Sequence, residues 1–196
     1  MSSPLRSANN WLPGDAATSL IGQQYCWHVD IGSGALIDGD LALVPAQQCG
    51  LPRLRRLLEQ PDVYRDWGGS PLSDAEITYK YLGGRADTVQ AYVVHHRGTD
   101  LGLVLYHVAD DGGEGGGMDM VLAVYARRAG VGTRAARLVA AHVTTQLGWH
   151  RLTVDPDASN DSAIHFWRRA GFQPVSIVND PDRSPYWLMQ WHPPSP

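Results

Sequence analysis

The feature that most constrains this chain is a glycine-broken junction between a strand and a helix. Met118 to Tyr125 reads as a strand, and after Gly130-Val131-Gly132 a helix from Gly132 to Leu147 carries an apolar stripe at Val131, Ala135, Leu138, Val139, Val143 and Leu147. A strand over Arg151 to Asp155 follows, then a helix from Asn160 to Ala170 stopped by Gly171, then strands over Phe172 to Val178 and Tyr186 to Trp191. Strands and helices alternating over such a length bury their apolar faces by packing helices on a sheet, so an α/β class is expected.

Upstream, Leu41, Leu43 and Pro45 suggest a short strand, and Leu51, Leu54, Leu57 and Leu58 recur at helical spacing. Trp67-Gly68-Gly69-Ser70-Pro71 reads as a loop. Ser73 with Glu76 three residues later is a capping box for a helix through Tyr81. Val89 to Arg97 and Leu101 to Ala109 read as a hairpin joined by Gly98-Thr99-Asp100, followed by a flexible loop from Asp110 to Gly117. Residues 1–38 hold Trp11, Tyr25 and Trp27 among Gly, Ser and Asn without periodicity, and are read as an N-terminal arm before a domain over 39–196.

With 196 residues, 43% hydrophobic and 18% charged, the chain can build one sizeable core. Its 16 basic against 20 acidic residues argue against a protein whose work is neutralising nucleic-acid phosphates. No stretch reaches the roughly 18 apolar residues of a membrane helix, and the N-terminus lacks a signal-peptide core, so a cytoplasmic address is expected. Cys26 and Cys49 sit in no metal-like spacing and His95, His96, His107, His142, His150 and His165 show no ligand pattern, so no metal is assigned.

Glycines in Arg127-Arg128-Ala129-Gly130-Val131-Gly132-Thr133 let backbone N–H groups turn toward an anion, and the following helix adds its positive end. Charge is segregated around this point. Residues 127–137 hold Arg127, Arg128, Arg134 and Arg137 without an acid, whereas residues 98–126 hold Asp100, Asp110, Asp111, Glu114 and Asp119 without Lys or Arg. The same glycines also match a dinucleotide fingerprint, which leaves a nicotinamide oxidoreductase open. Against that, the fingerprint usually opens its domain, and the acid expected about 20 residues on would be Asp155, slightly late.

The run Asp155-Pro156-Asp157-Ala158-Ser159-Asn160, leading into Ala163-Ile164-His165-Phe166-Trp167-Arg168-Arg169-Ala170-Gly171-Phe172, completes the pattern. Together with Arg127-x-x-Gly130-x-Gly132 it resembles the GNAT superfamily of acyl-CoA-dependent N-acyltransferases, over about residues 40 to 191. Within it the chain looks most like the aminoglycoside 6′-N-acetyltransferases, which share the Asp-Pro-x-x-x-Asn loop, the Ala-Ile helix ending in Ala-Gly-Phe, and an early Trp-Gly-Gly. Siderophore lysine N-acyltransferases have a similar C-terminal half.

The resemblance implies a mixed, largely antiparallel sheet flanked by helices, with acetyl-CoA bound where the strand of residues 118–125 splays from the next one. It implies that Val124, Arg127, Arg128, Ala129, Gly130, Val131, Gly132 and Thr133 hold acetyl-CoA, with Asn160 and Trp167 beside its pantetheine arm. Asp119 takes the place of the carboxylate that accepts a proton from the attacking amine, and Trp67 and Asp155 line the acceptor site. A small-molecule amine is the expected partner, with no nucleic acid or membrane, in a monomer or homodimer. Most GNAT enzymes carry a Tyr acid where this chain has Trp167, whose indole N–H hydrogen-bonds but is no practical acid. Absence of a Ser/His/Asp or paired-Cys arrangement fits direct transfer over a covalent acyl-enzyme. A CoA-binding regulator without catalysis is the alternative of another class.

Overall fold

A computed structural model describes residues 34–67, 69–109, 115–181 and 183–193, with the Asp66 side chain excluded. Its sheet has eight strands: β1 (Leu36–Asp38), β2 (Leu41–Pro45), β3 (Val89–His96), β4 (Thr99–Val108), β5 (Gly115–Leu122), β6 (Arg151–Val154), β7 (Phe172–Val178) and β8 (Tyr186–Trp191), ordered β1-β2-β3-β4-β5-β6-β8-β7. Six helices flank it: α1 (Ala46–Cys49), α2 (Leu51–Leu58), α3 (Pro61–Trp67), α4 (Asp74–Tyr81), α5 (Val131–Thr145) and α6 (Asp161–Ala170). Only β5 and β6 pair in parallel among the described strands, so the sheet is mixed and largely antiparallel, and not the parallel sheet a nicotinamide fold requires.

The sheet lies between two apolar layers. Leu54, Leu57 and Leu58 of α2, with Val63, Ile77 and Tyr81, pack against Leu103, Leu105 and Val121 on one face. Ala135, Ala136, Val139 and Val143 of α5 pack with Trp167, Phe172 and Met189 against the other. Each buried leucine removes enough apolar surface from water to favour folding by about 2 kcal/mol. The capping box of α4 forms as expected: Ser73 N–H donates to Glu76 Oε2 at 2.8 Å, and Glu76 N–H to Ser73 Oγ at 3.3 Å.

Several boundaries differ from the sequence reading. Leu36–Asp38, assigned to the arm, form edge strand β1, while residues 1–33, with Trp11, Tyr25, Cys26 and Trp27, lie outside the described residues. The β3–β4 connection is a two-residue turn at Arg97 and Gly98, with φ of 48° and 80°, and Thr99 and Asp100 already belong to β4. Trp67 closes a helix instead of opening a loop.

The largest difference is at β5, which runs Gly115–Leu122 and not 118–125; Val124–Ala126 form a 3-10 turn. Residues 110–114 of the expected flexible loop are outside the described residues. Its last three glycines are strand, and an added Cβ would meet Arg151 O at Gly115, His107 O and the Trp149 ring at Gly116, and the His107 ring at Gly117. At Gly116 a Cβ would stand 2.7 Å from Cη2 of Trp149, which packs edge-on to Tyr106 with centroids 5.4 Å apart. Gly116→Ala is therefore expected to lower stability by on the order of 2 kcal/mol, the scale of an overpacked core. Denaturant unfolding measures it, and an unchanged midpoint would contradict the packing described.

Candidate functional site

β5 and β6 pair only at Gly115↔Arg151, Gly116↔Leu152 and Gly117↔Thr153, and from Met118 onward the two strands part. This is the splay expected from the sequence. A cleft of about 2310 Å³ opens there, running from the N-terminus of α5 past Asp119 to α3 and α4.

At one end Arg127, Arg128, Gly130, Gly132 and Thr133 line the cleft, whereas Val124, Ala129 and Val131 do not. Val124 is instead 56% exposed on the 3-10 turn, with its N–H donating to Asp62 Oδ2 at 2.6 Å. Val131 is buried in the core beneath α5, and Ala129 is exposed outside the cleft lining. Gly130 caps α5 at φ 80° and Arg128 sits at φ 65°, so the turn draws on the left-handed region twice in three residues.

The expected arginine cluster is largely committed elsewhere. Arg127 Nε and Nη2 donate to Leu122 O at 2.9 and 2.7 Å, Arg134 pairs with Asp38 and Asp40 at 2.8 and 2.9 Å, and Arg137 Nη2 donates to Arg169 O at 2.8 Å. Arg128 alone of the four forms no ion pair or side-chain hydrogen bond among the described residues. The acidic stretch is likewise no single patch. Asp100 is bound by Arg53 at 2.6 Å and His95 at 2.8 Å, and Asp110, Asp111 and Glu114 lie outside the described residues.

Along the cleft wall Asn160 Oδ1 accepts from Ala163 N–H at 3.0 Å, capping α6 and leaving its NH₂ donors unused by the cap. Trp167 is 6% exposed and packs edge-on against Phe166 and Phe172, with centroids 4.7 and 5.2 Å away. No acceptor takes the Trp167 N–H among the described residues, and Trp167 is one of the residues lining the cleft.

At the other end Trp67, Asp119 and Asp155, which the resemblance assigns to the acceptor side, line the cleft with Tyr81, His107 and Arg183. Trp67 Nε1–H donates to Tyr81 Oη at 2.6 Å, joining α3 to α4 as one aromatic wall. Arg183 donates to Asp155 Oδ2 at 2.7 Å and lies 4.0 Å over the Tyr186 ring. Burial, and then the neighbouring Asp155, push the Asp119 carboxyl above its ordinary value of 3.8, while His107 and Arg183 pull it down. Tyr106 of β4 and Tyr125 of the 3-10 turn lie outside the cleft lining, with Tyr125 donating its O–H to Asp100 O at 3.2 Å.

With this geometry in place, comparison with known proteins is direct. The acetyltransferase (GNAT) domain profile matches residues 40–173, and the chain belongs to that family. It is an acetyltransferase that uses acetyl-CoA as cosubstrate. No curated protein matches the sequence. Among solved structures, aminoglycoside acetyltransferase AAC(6′)-Ib with paromomycin and acetyl-CoA superposes with TM-score 0.64 at 24% identity, over 78% of this chain and 92% of that one. RimL, a ribosomal alpha-N-protein acetyltransferase with coenzyme A bound, gives TM-score 0.69 at 12% identity, over 80% and 96%. A spermidine N-acetyltransferase chimera from Vibrio cholerae gives 0.63 at 15%, over 78% and 94%. These likenesses share the fold across different acceptors.

Two outcomes follow from the geometry. A Cβ on Gly132 would lie 2.8 Å from Leu122 Cδ1 and 3.1 Å from Phe166 Cε2, both of which line the cleft. Gly132→Val should therefore weaken acetyl-CoA binding about tenfold in calorimetry, about 1.4 kcal/mol. Replacing Arg183 by Gln removes a cation near Asp119 and releases Asp155, and both changes push the Asp119 carboxyl further up. The acidic limb of the turnover profile, where Asp119 loses its charge as pH falls, should then move to higher pH, and an unmoved limb would show that Arg183 is not felt there.

Proposed function

We propose that the protein acetylates a primary amine by direct attack on acetyl-CoA, with a polyamino sugar of the aminoglycoside type as acceptor. The observation that carries this reading is Asp119, a carboxylate with a raised pKa where β5 leaves β6, facing the Trp67–Tyr81 wall. An ammonium cannot attack, so the acceptor must lose a proton, and a carboxylate both attracts the cation and takes that proton. Trp67 offers a flat apolar face to the body of a sugar. Asp155, already paired with Arg183, serves as a weaker second contact.

At the opposite end the cleft fits acetyl-CoA. The backbone from Arg128 to Thr133 and the N-terminus of α5 face its pyrophosphate, and Asn160 faces the arm. Acetyl-CoA supplies the thioester whose carbonyl carbon the amine attacks, and the CoA thiolate leaves. A thiol of pKa around 8.5 departs near neutral pH with a hydrogen bond from Trp167, without a dedicated acid.

A second reading rests on charge. Arg65, Lys80 and Arg85 line the same cleft as Trp67, which favours an amine that also carries an anion, such as a lysine-type siderophore precursor or a peptide α-amine near acids. Thiol release from acetyl-CoA across aminoglycosides, spermidine, N6-hydroxylysine and an acidic peptide separates the two. Highest kcat/KM on aminoglycosides supports the first reading, and activity confined to anion-bearing amines overturns it. Asp119→Asn should lower turnover roughly a hundredfold with acetyl-CoA affinity unchanged, the scale of one general base; undiminished turnover would place proton transfer elsewhere.

A further inference from the structure

His107 has no role in the reading above, yet its position is built. In the β4–β5 ladder Leu105 stands opposite Asp119 and His107 opposite Gly117, so His107 and Asp119 share one face of the sheet on a diagonal. A Cβ at Gly117 would lie 2.6 Å from His107 Cε1. The missing side chain therefore lets the imidazole lie across β5, with Nε2 3.9 Å from Asp119 Oδ2. That separation is within ion-pair range and closes to a hydrogen bond with a small ring movement, as catalytic contacts do once substrates bind.

The ring also lines a second cavity of about 220 Å³, walled by Gly116, Gly117, Arg151 and Thr153. Its side chain is 42% accessible. His107 thus borders both the acceptor end of the cleft and this second cavity.

We propose that His107 is a proton relay, carrying the acceptor's proton from Asp119 to water in the second cavity. The inference rests on Asp119 being the proton acceptor. The ammonium loses one proton to the Asp119 carboxylate, leaving the neutral amine with its electron pair. The Asp119 carboxyl then passes that proton to His107 Nε2, regenerating the carboxylate and forming an imidazolium. The imidazolium releases one proton to water and is neutral again. No electron changes hands.

The other groups that face Asp119 are committed. Asp155 is held by Arg183, Arg183 by Asp155, and the Tyr81 oxygen accepts from Trp67. When both substrates fill the main cleft they displace its water, and His107, which borders both cavities, is the group placed to pass the proton outward. Among the described residues, Arg151 lines the second cavity and Asp119 lies 3.9 Å from the ring.

The test compares His107→Ala, His107→Gln and Asp119→Asn at saturating acetyl-CoA and acceptor. His107→Ala should lower kcat about tenfold or more, with acetyl-CoA affinity unchanged in calorimetry, and added imidazole should restore the rate in proportion to its neutral form. His107→Gln keeps size and hydrogen bonding but carries no proton, so it should lose as much kcat as the Ala variant. Full activity of His107→Gln, a kcat of His107→Ala within twofold of the parent, or a loss that imidazole leaves untouched would each overturn the relay. Asp119→Asn should show its roughly hundredfold loss with or without imidazole. Should its turnover be undiminished, the assignment of Asp119 fails and the relay with it; should it alone lose turnover, only the relay fails.

Discussion

The functional half of the molecule depends on where two strands part: β6 pairs with β5 only along the glycine run that opens β5. Gly115, Gly116 and Gly117 are the residues of β5 that pair with β6, and the pairing stops where Met118 begins. Beyond that point β6 continues against β8, through Thr153↔Gln190 and Val154↔Met189, while β5 keeps β4 on its other side. The parting edge of β5 carries backbone donors and acceptors with no strand to meet them, and such groups demand water or a ligand. One of them, Leu122 O, is taken by Arg127. The glycine run therefore joins the sheet and opens it within a few residues.

The same economy governs charge. Four arginines without an acid between them read as a cradle for an anion, but a sequence shows only where charges start, not where long side chains end. Arg134 reaches the β1–β2 turn, whose Asp40 it holds, with Arg97, well below the usual carboxylate range. Arg137 satisfies carbonyls at the end of α6, where a helix leaves acceptors unpaired. Attraction for an anion at this end is left to Arg128, the backbone of the turn and the dipole of α5.

Much of this architecture was legible from periodicity and capping residues. The stripe of α5, the box at Ser73 and Glu76, and Asn160 and Gly171 bounding α6 stand where local chemistry puts them, whereas the splay beside Asp119 came only from the family resemblance. Misreadings share a cause, because each concerns a residue whose conformation is set by a partner distant in sequence. Glycine in isolation signals a flexible loop, and only Trp149 and His107 make Gly116 and Gly117 strand. Val124 follows the strand in sequence, yet Asp62 takes its N–H. His107 carried no spacing signal, since its neighbour Asp119 is set by register between strands and not by any motif.

That register places Asp119 under two opposed demands. To bind an ammonium it must be ionised, and to accept the proton it must be a base of useful strength. At its ordinary value of 3.8 a carboxylate holds a proton far more weakly than an amine does, and each unit of separation makes the transfer uphill by about 1.36 kcal/mol. Burial and the charge of Asp155 narrow that gap by raising Asp119. Carried too far, the same shift would empty the carboxylate near neutral pH and abolish its attraction for the cation. Arg183 and His107 pull in the other direction, and Arg183 does so while neutralising the very carboxylate that raises Asp119. Asp155, Arg183 and His107 therefore act on Asp119 as a set, which makes the acceptor site sensitive to residues that need never touch the acceptor.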